Sequence, residues 1–404
     1  MTTKIPECLV HPASLKQIQG GHPWVTPDTF SNRFPKHSEF IIATDDRKRP
    51  FALLIHDPFH RNVKARVWSL KKPFDREAEH FTASIQARLD LAFEKRDQNK
   101  HLQMRDNYYL VFGEADQLPG LFILKLKDRV LIQFFTQFWM KYKTIIQTTL
   151  LEVYPEFSEE NIWIQLRGET KELQKLPRQT LDQNKKEEFH LQEFGVQYLI
   201  RLGSSYDHGL YTDMSGVRFE LEKYLEPNSR VLNLFCYTGA FSLWSLKHKA
   251  SQVTSVDLSP KYIEWLQTNL SLNPDLDHTK HTAITSSVDE ALEKLIKDQA
   301  VFDLIFCDPP SSSSDGEKRT SALKAYGNLM KKMDLLLAPK GKMVVFLNTH
   351  QVTPQKFERI ILDELKATQL HYRVIEKIGL TQDCPTIKGF PEGNYLKGLI
   401  LEKQ

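Results

Sequence analysis

Cysteine is scarce in this chain. Cys8, Cys236, Cys307 and Cys384 are scattered over 404 residues with no CxxC pair. Such spacing argues against a disulfide framework and against a zinc ribbon, so no metal and a reducing, cytoplasmic compartment are expected. Long apolar runs are missing too. None approaches the ~20 residues of a membrane span, and the opening MTTKIPECLVHP has no apolar signal core. Neither membrane association nor secretion is expected. Charge of one sign is also lacking, with 54 Lys+Arg against 51 Asp+Glu. Only residues 1–75 lean basic, with 12 Lys+Arg against 7 Asp+Glu, a bias compatible with a polyanionic partner and equally with an ordinary solvated surface. No internal repeat or long low-complexity segment appears.

What is present is a soluble globular composition in a chain too long for one core. Residues 1–75 hold short β-like runs (SEFIIATD, RPFALLIHD, VKARVWSL) between turn residues, which predicts a small all-β module. Residues 76–195 read as a central α+β domain. Phe81, Ile85, Leu89, Ala92 and Phe93 fall at helical spacing within 74–97, and 108–135 reads as three strands. The lysine- and glutamate-rich 182–195 reads as an exposed loop or boundary. From about residue 196, apolar strands alternate with helices, the mark of βαβ units in a mainly parallel α/β sheet. In such a sheet ligands bind outside the carboxyl ends of the strands.

Those strand ends carry chemistry. VLNLFCYTGAFSL (231–243) is a strand, a small-residue turn with Gly239, and a helix start. The GxGxxG fingerprint is absent, which counts against a dinucleotide. The next strand ends in Asp257, 18 residues after Gly239, where a carboxylate can accept from both ribose hydroxyls. The competing reading makes Asp257 a cap for the helix near Pro260. A nucleoside cofactor without pyrophosphate suits both features, and S-adenosyl-L-methionine is the obvious candidate. A third strand ends in FDLIFCDPPSSSSDG (302–316).

With these motifs in view, the whole chain resembles the bacterial 23S rRNA methyltransferase family that joins a PUA domain, a central α/β domain and a Rossmann-like methyltransferase domain. GGHPWV (20–25) resembles its PUA signature and LVFGEADQLPGL (110–121) its central segment. HGLYTD (208–213), NLFCYTGAFSL, VDLSPKYIEW, DPPS and PEGNYLKGL (391–399) are similar to its methyltransferase motifs. The resemblance implies a PUA-like RNA-binding domain at 1–75, a central domain at 76–195 and, at 196–404, a class I methyltransferase domain with a seven-stranded, mainly parallel sheet. It implies a cofactor pocket of Asp213, Asn233, Phe235, Tyr237, Thr238, Gly239, Asp257, Leu258, Ser287 and Asp308, and an RNA partner, 23S rRNA. A monomer and a homodimer are equally open. The family tends to have Gln-Arg where Met214 and Ser215 stand, with Arg218 as a later arginine, and an aspartate where Ser287 stands.

The same resemblance bears on the methylated atom. Carbon 5 of a pyrimidine needs a cysteine thiolate that adds to the ring, whereas a nitrogen needs only acceptors that hold the base. The 5-methylcytosine members carry the nucleophilic cysteine where Asn348 stands here. A related 7-methylguanine methyltransferase resembles Phe346-Leu347-Asn348 and shares Asp207. A nitrogen target is therefore expected, with Asp308, Pro309 and Asn348 as catalytic residues. Cys307 and Cys236 read as packing, and Cys384 as the better alternative nucleophile. His208 reads as shaping the cofactor turn, and His350 as lining the base pocket or simply exposed. Ser311–Ser314 with Lys318 and Arg319 read as a loop that closes over a flipped base, against a plain linker. A 5-methylcytosine enzyme using another cysteine, a degenerate RNA-binding member and a small-molecule methyltransferase are the alternatives.

Overall fold

The computed structural model describes residues 4–167, 185–203, 208–310, 312–314 and 319–404. It divides into two compact units. One comprises Met1–Glu188, Arg201–His208 and Asp383–Phe390, the other Phe189–Ile200, Gly209–Gln382 and Pro391–Gln404.

The first unit holds two sheets. A five-stranded sheet runs in the order Glu7–Leu9, Phe40–Thr44, Pro50–His56, Ala65–Ser69, Trp24–Val25. The all-β expectation omitted a helix here, Pro12–Gln19. His11 caps it by accepting from Ala13 N–H, and Pro12 supplies the preset φ of a first helical residue. Strands Asn107–Phe112, Leu121–Leu126, Arg129–Phe134 and Ile162–Leu166 form a four-stranded sheet. The 74–97 pattern yields two helices, Phe74–Glu79 and Phe81–Asp97. Phe81, Ile85, Leu89, Ala92 and Phe93 of the second are all buried, in one core with Ile42, Leu53 and Trp68 of the five-stranded sheet.

A segment from near the chain's end completes this unit. Buried Asp383 accepts from Arg105 (2.7 Å) and from Tyr109 N–H (3.1 Å). Phe390 packs edge-on against Trp24 (4.6 Å) and His22 (5.5 Å) of the GGHPWV motif. The backbones pass so closely that a Cβ on Gly389 would lie 2.0 Å from Gly20 O, and its φ of +92° suits glycine.

The exposed loop expected at 182–195 is in part a strand. Glu187–Glu193 pairs with Val196–Leu202, and Phe189, Leu191 and Glu193 turn inward in alternation. The second unit's main sheet has seven strands: β1 (Arg230–Leu234), β2 (Gln252–Asp257), β3 (His281–Thr285), β4 (Phe302–Cys307), β5 (Leu337–Asn348), β6 (Tyr372–Ile378) and β7 (Leu396–Lys403). Their order is β3-β2-β1-β4-β5-β7-β6. The first five are parallel, and β7 lies antiparallel between β5 and β6. Helices α1 (Ala240–Lys247), α2 (Pro260–Ser271), α3 (Val288–Lys297), α4 (Ala322–Leu336) and α5 (Pro354–Ala367) connect them. The strands read as apolar runs because helices cover both faces. Leu232, Ile305 and Val345 are buried with Met330 and Ile361 of the helices. Among the described residues no helix is long and apolar enough to cross a membrane, and no His/Cys/Asp/Glu group is arranged to hold a metal ion.

Candidate active site

Strand register brings the singled-out residues to one edge. Leu234 pairs with Val256 on one side and Cys307 on the other, and Cys307 pairs with Val345. Phe235, Asp257, Asp308 and Phe346 therefore all follow the same row across β1, β2, β4 and β5. Asp257 and Asp308 flank β1, two strand spacings or about 10 Å apart, with the turn after β1 between them.

That turn is built under strain. Phe235 (φ +58°), Tyr237 (φ +52°) and Gly239 (φ +86°) alternate through the left-handed region. Gly239 is obligatory there, because a Cβ would lie 2.5 Å from Leu266. The surroundings fix the rest. Tyr237 N–H donates to Asp257 (2.9 Å), Thr238 Oγ1 donates to Gly209 O (2.6 Å), and Asn269 Nδ2 donates to Thr238 O (2.9 Å). The Thr238 side chain is thus committed to the fold. The other Asp257 oxygen accepts from Ser259 N–H (2.9 Å). Ser259, not Asp257, caps α2, with its hydroxyl accepting from Tyr262 N–H. Burial raises the Asp257 carboxyl above its ordinary range, against the lowering effect of those two N–H donors. Leu258 beside it is 59% exposed, an unusual setting for leucine. Asn233, near the end of β1, is buried and donates to Ser242 (2.8 Å).

On the other side of β1 lies a carboxylate pair. Burial, and then the neighbouring Asp213 carboxylate, push the half-buried Asp308 up to about 7. Asp213 is buried and accepts from Tyr395 Oη (2.8 Å). Its turn is held from behind by Arg218, which donates to Glu193 (2.6 Å and 3.0 Å) and to Tyr211 O (3.3 Å). Ser215 joins that network through Glu193, and Met214 is buried. Both departures at 214 and 215 are therefore packed inward. Asn348 is exposed at the end of β5, opposite Leu396. Ser287 is half-buried and closes a capping box with Glu290 at the start of α3. The S-x-x-E spacing was a legible signal for that role.

The cysteines are inward. Cys236, Cys307 and Cys384 are all buried, the last within the first unit. Burial pushes the Cys236 and Cys307 thiols up, away from thiolate character. Cys307 O instead accepts from Tyr326 Oη (3.1 Å), and the same phenol accepts from Phe346 N–H (3.1 Å). Tyr326 so ties together the ends of β4 and β5, which carry Asp308 and Asn348. The serine run is not a plain linker: Ser312–Ser314 pairs antiparallel with Arg319–Ser321. Asp207, Ser311 and Lys318 lie outside the described residues.

A model of S-adenosylmethionine-dependent methyltransferases matches residues 170–394, more than half of the chain. The chain belongs to that family. This methyltransferase has relatives along nearly its whole length. It is 27% identical over 388 residues to ribosomal RNA large subunit methyltransferase I of Cronobacter sakazakii, covering 95% of this chain and 96% of that one. It is 31% identical over 325 residues to Bacillus subtilis YwbD, whose provisional name is also ribosomal RNA large subunit methyltransferase, covering 80% and 79%. In fold it is similar to SMU.776, crystallised with SAH, at a TM-score of 0.84 and 21% identity over 98% of this chain and 100% of that one. The enzyme's cofactor is S-adenosylmethionine.

Three residues of this methyltransferase were not singled out from sequence: Tyr326, Tyr395 and Lys397. Lys397 is 2% exposed, and its ammonium donates to two main-chain carbonyls, Thr349 O and Tyr395 O. Burial pushes it down to about 8. A charged residue inside the otherwise apolar YLKGLIL was the available signal.

Proposed function

We propose that this methyltransferase modifies a base of large-subunit (23S) rRNA at a nitrogen atom. The rRNA part draws on the names of the relatives and on the basic N-terminal segment. The nitrogen part rests on one observation, that exposed Asn348 occupies the end of β5, where the 5-methylcytosine enzymes that the chain resembles carry their cysteine nucleophile, while Cys236, Cys307 and Cys384 are buried. Residues 1–75 act as an RNA anchor, residues 76–195 as a central domain and residues 196–404 as the transfer domain, in the cytoplasm, with a monomer and a homodimer both compatible.

The residues fit the cofactor's chemistry. Asn233 Oδ1 has no hydrogen-bond partner among the described residues and can accept from a cofactor N–H or O–H. Each Asp257 oxygen keeps a lone pair for a ribose hydroxyl. Exposed Leu258 offers an apolar face to adenine, and Ser287 Oγ keeps one lone pair beyond its capping box. Phe235, Tyr237, Thr238 and Gly239 shape the turn, and Asp213 and Asp308 bring negative charge toward the cofactor's positive end. The cofactor supplies a methyl group activated by a sulfonium. The protein's task is to hold the base in line and to exclude water. Asp308, the carbonyl of Pro309 and Asn348 provide it with hydrogen-bonding groups, and Pro309-Pro310 adds no N–H to compete.

Mass mapping of 23S rRNA from a strain lacking the protein tests this. Loss of a single methyl on a base nitrogen is expected. Loss of 5-methylcytosine overturns the nitrogen assignment, and an unchanged rRNA overturns the substrate.

A further inference from the structure

Behind the turn after β1 runs a chain of buried polar side chains. Asn233 Nδ2 donates to Ser242 Oγ on α1 (2.8 Å). The Ser242 and Ser255 hydroxyls lie 2.6 Å apart, and Ser255 on β2 is 2.8 Å from His281 Nε2 on β3. Asn233, Ser242 and Ser255 are all 3% exposed or less. Each serine has one proton to give. Ser242 accepts from Asn233, and Ser255 is the one acceptor that the described residues offer its proton, so the Ser242 hydroxyl is satisfied when it donates to Ser255. Ser255 then donates to His281 Nε2, which must be a bare lone pair. Burial first, and the His278 charge second, hold His281 down to about 4, so the imidazole is neutral and can accept. The far end of the chain is Asn233 Oδ1, at the carboxyl edge of β1.

We propose that Asn233, Ser242, Ser255 and His281 form a one-way hydrogen-bond relay that locks the Asn233 amide with its oxygen toward a donor group of S-adenosylmethionine. Ser242, Ser255 and His281 are then positioning residues for the cofactor, although none of them touches it. The inference rests on the cofactor role proposed above for Asn233. Its physical basis is that an amide can turn over and present NH2 in place of oxygen unless its partners forbid it, and a buried chain with a fixed acceptor at its end forbids it.

Calorimetric titration with S-adenosylmethionine and with S-adenosylhomocysteine, alongside thermal unfolding without ligand, tests the relay. Ser255→Ala and His281→Phe are expected to bind both ligands about tenfold more weakly. His281→Gln offers a carbonyl acceptor and is expected to stay within about twofold of wild type. Unchanged affinity in Ser255→Ala and His281→Phe, whatever their thermal midpoints, overturns the relay, as does His281→Gln binding as weakly as His281→Phe. Should Ser255→Ala not fold, the two His281 variants at a half-buried edge position decide alone. Failure of the wild type to bind either ligand would instead remove the cofactor reading beneath the relay.

Discussion

Asp308 gives the site its most testable pH dependence. Its folded pKa of about 7 lies above the ordinary carboxylate value, so the folded state holds this proton longer than the unfolded chain does. The resulting penalty is absent below about pH 4, grows as pH rises, and is complete above pH 7. Asp308→Asn is therefore expected to stabilise the ligand-free protein at pH 8 by about 2 kcal/mol, a figure reduced for the residue's partial exposure, and to leave it unchanged near pH 3.5. Unfolding midpoints at the two pH values check this. A cofactor carrying positive charge draws the pKa down and releases a proton, so wild-type affinity for S-adenosylmethionine should rise about tenfold from pH 6 to pH 8, and that of Asp308→Asn should stay flat. Calorimetry in buffers of different ionisation enthalpy reads the proton directly. Cys307 offers the contrasting case. It is packed among Tyr326, Met330 and Val345. Cys307→Ala should keep its methyl-transfer rate at a cost of about 1–2 kcal/mol in stability, and a rate falling a hundredfold would restore the cysteine chemistry.

Elements decide how well those residues are aimed. The ends of β4 and β5 carry Asp308 and Asn348, and the Tyr326 hydroxyl bridges them through Cys307 O and the Phe346 main chain. Tyr326→Phe leaves these buried groups short of a partner, at about 1–3 kcal/mol. Turnover should fall at least tenfold with a clearly smaller loss of S-adenosylmethionine affinity, because β1 and β2 are untouched and only Asp308 among the cofactor groups lies on the loosened strands. A parallel loss of affinity would instead mean general loosening of the sheet. Much at this scale was readable in the sequence. VLNLFC, VTSVD and FDLIFCD stand out because strands covered on both faces are uninterrupted apolar runs. EEFHLQE did not, since lysine and glutamate dominate the window and mask the inward alternation of Phe189, Leu191 and Glu193. Its turn was also disguised, with Phe194 and Gly195 both at positive φ where Asn-Gly is the usual signal. The pairing of Ser312–Ser314 with Arg319–Ser321 is main-chain hydrogen bonding, to which four serines in a row give no clue. Tyr326 and Tyr395 escaped for another reason: their roles are contacts with main-chain groups and a carboxylate far along the chain, which no local pattern records.

The whole molecule is less divisible than its sequence implies. The chain passes between the two units five times, and the first unit is not a continuous stretch of sequence. Arg105 meets Asp383 across 278 positions, and both side chains are almost wholly buried. Removing one partner of such a pair costs about 3–5 kcal/mol. Losing the buried ring of Phe390 from beside Trp24 and His22 costs about 3–5 kcal/mol more. Set against a typical domain stability of about 5–15 kcal/mol, the two losses consume most of it. A fragment of residues 1–188 is thus expected to be unfolded or aggregated, although it contains every strand of both sheets in that unit. Phe390→Ala in the full chain should lower the urea midpoint reported by tryptophan fluorescence, with secondary structure intact below it. A soluble 1–188 fragment with protected amides and a midpoint matching the full chain would refute this. In that case the glycines at 20, 21 and 389 would serve only to let the backbones pass, and the eight residues from Asp383 to Phe390 would be passengers on the first unit, not part of its core.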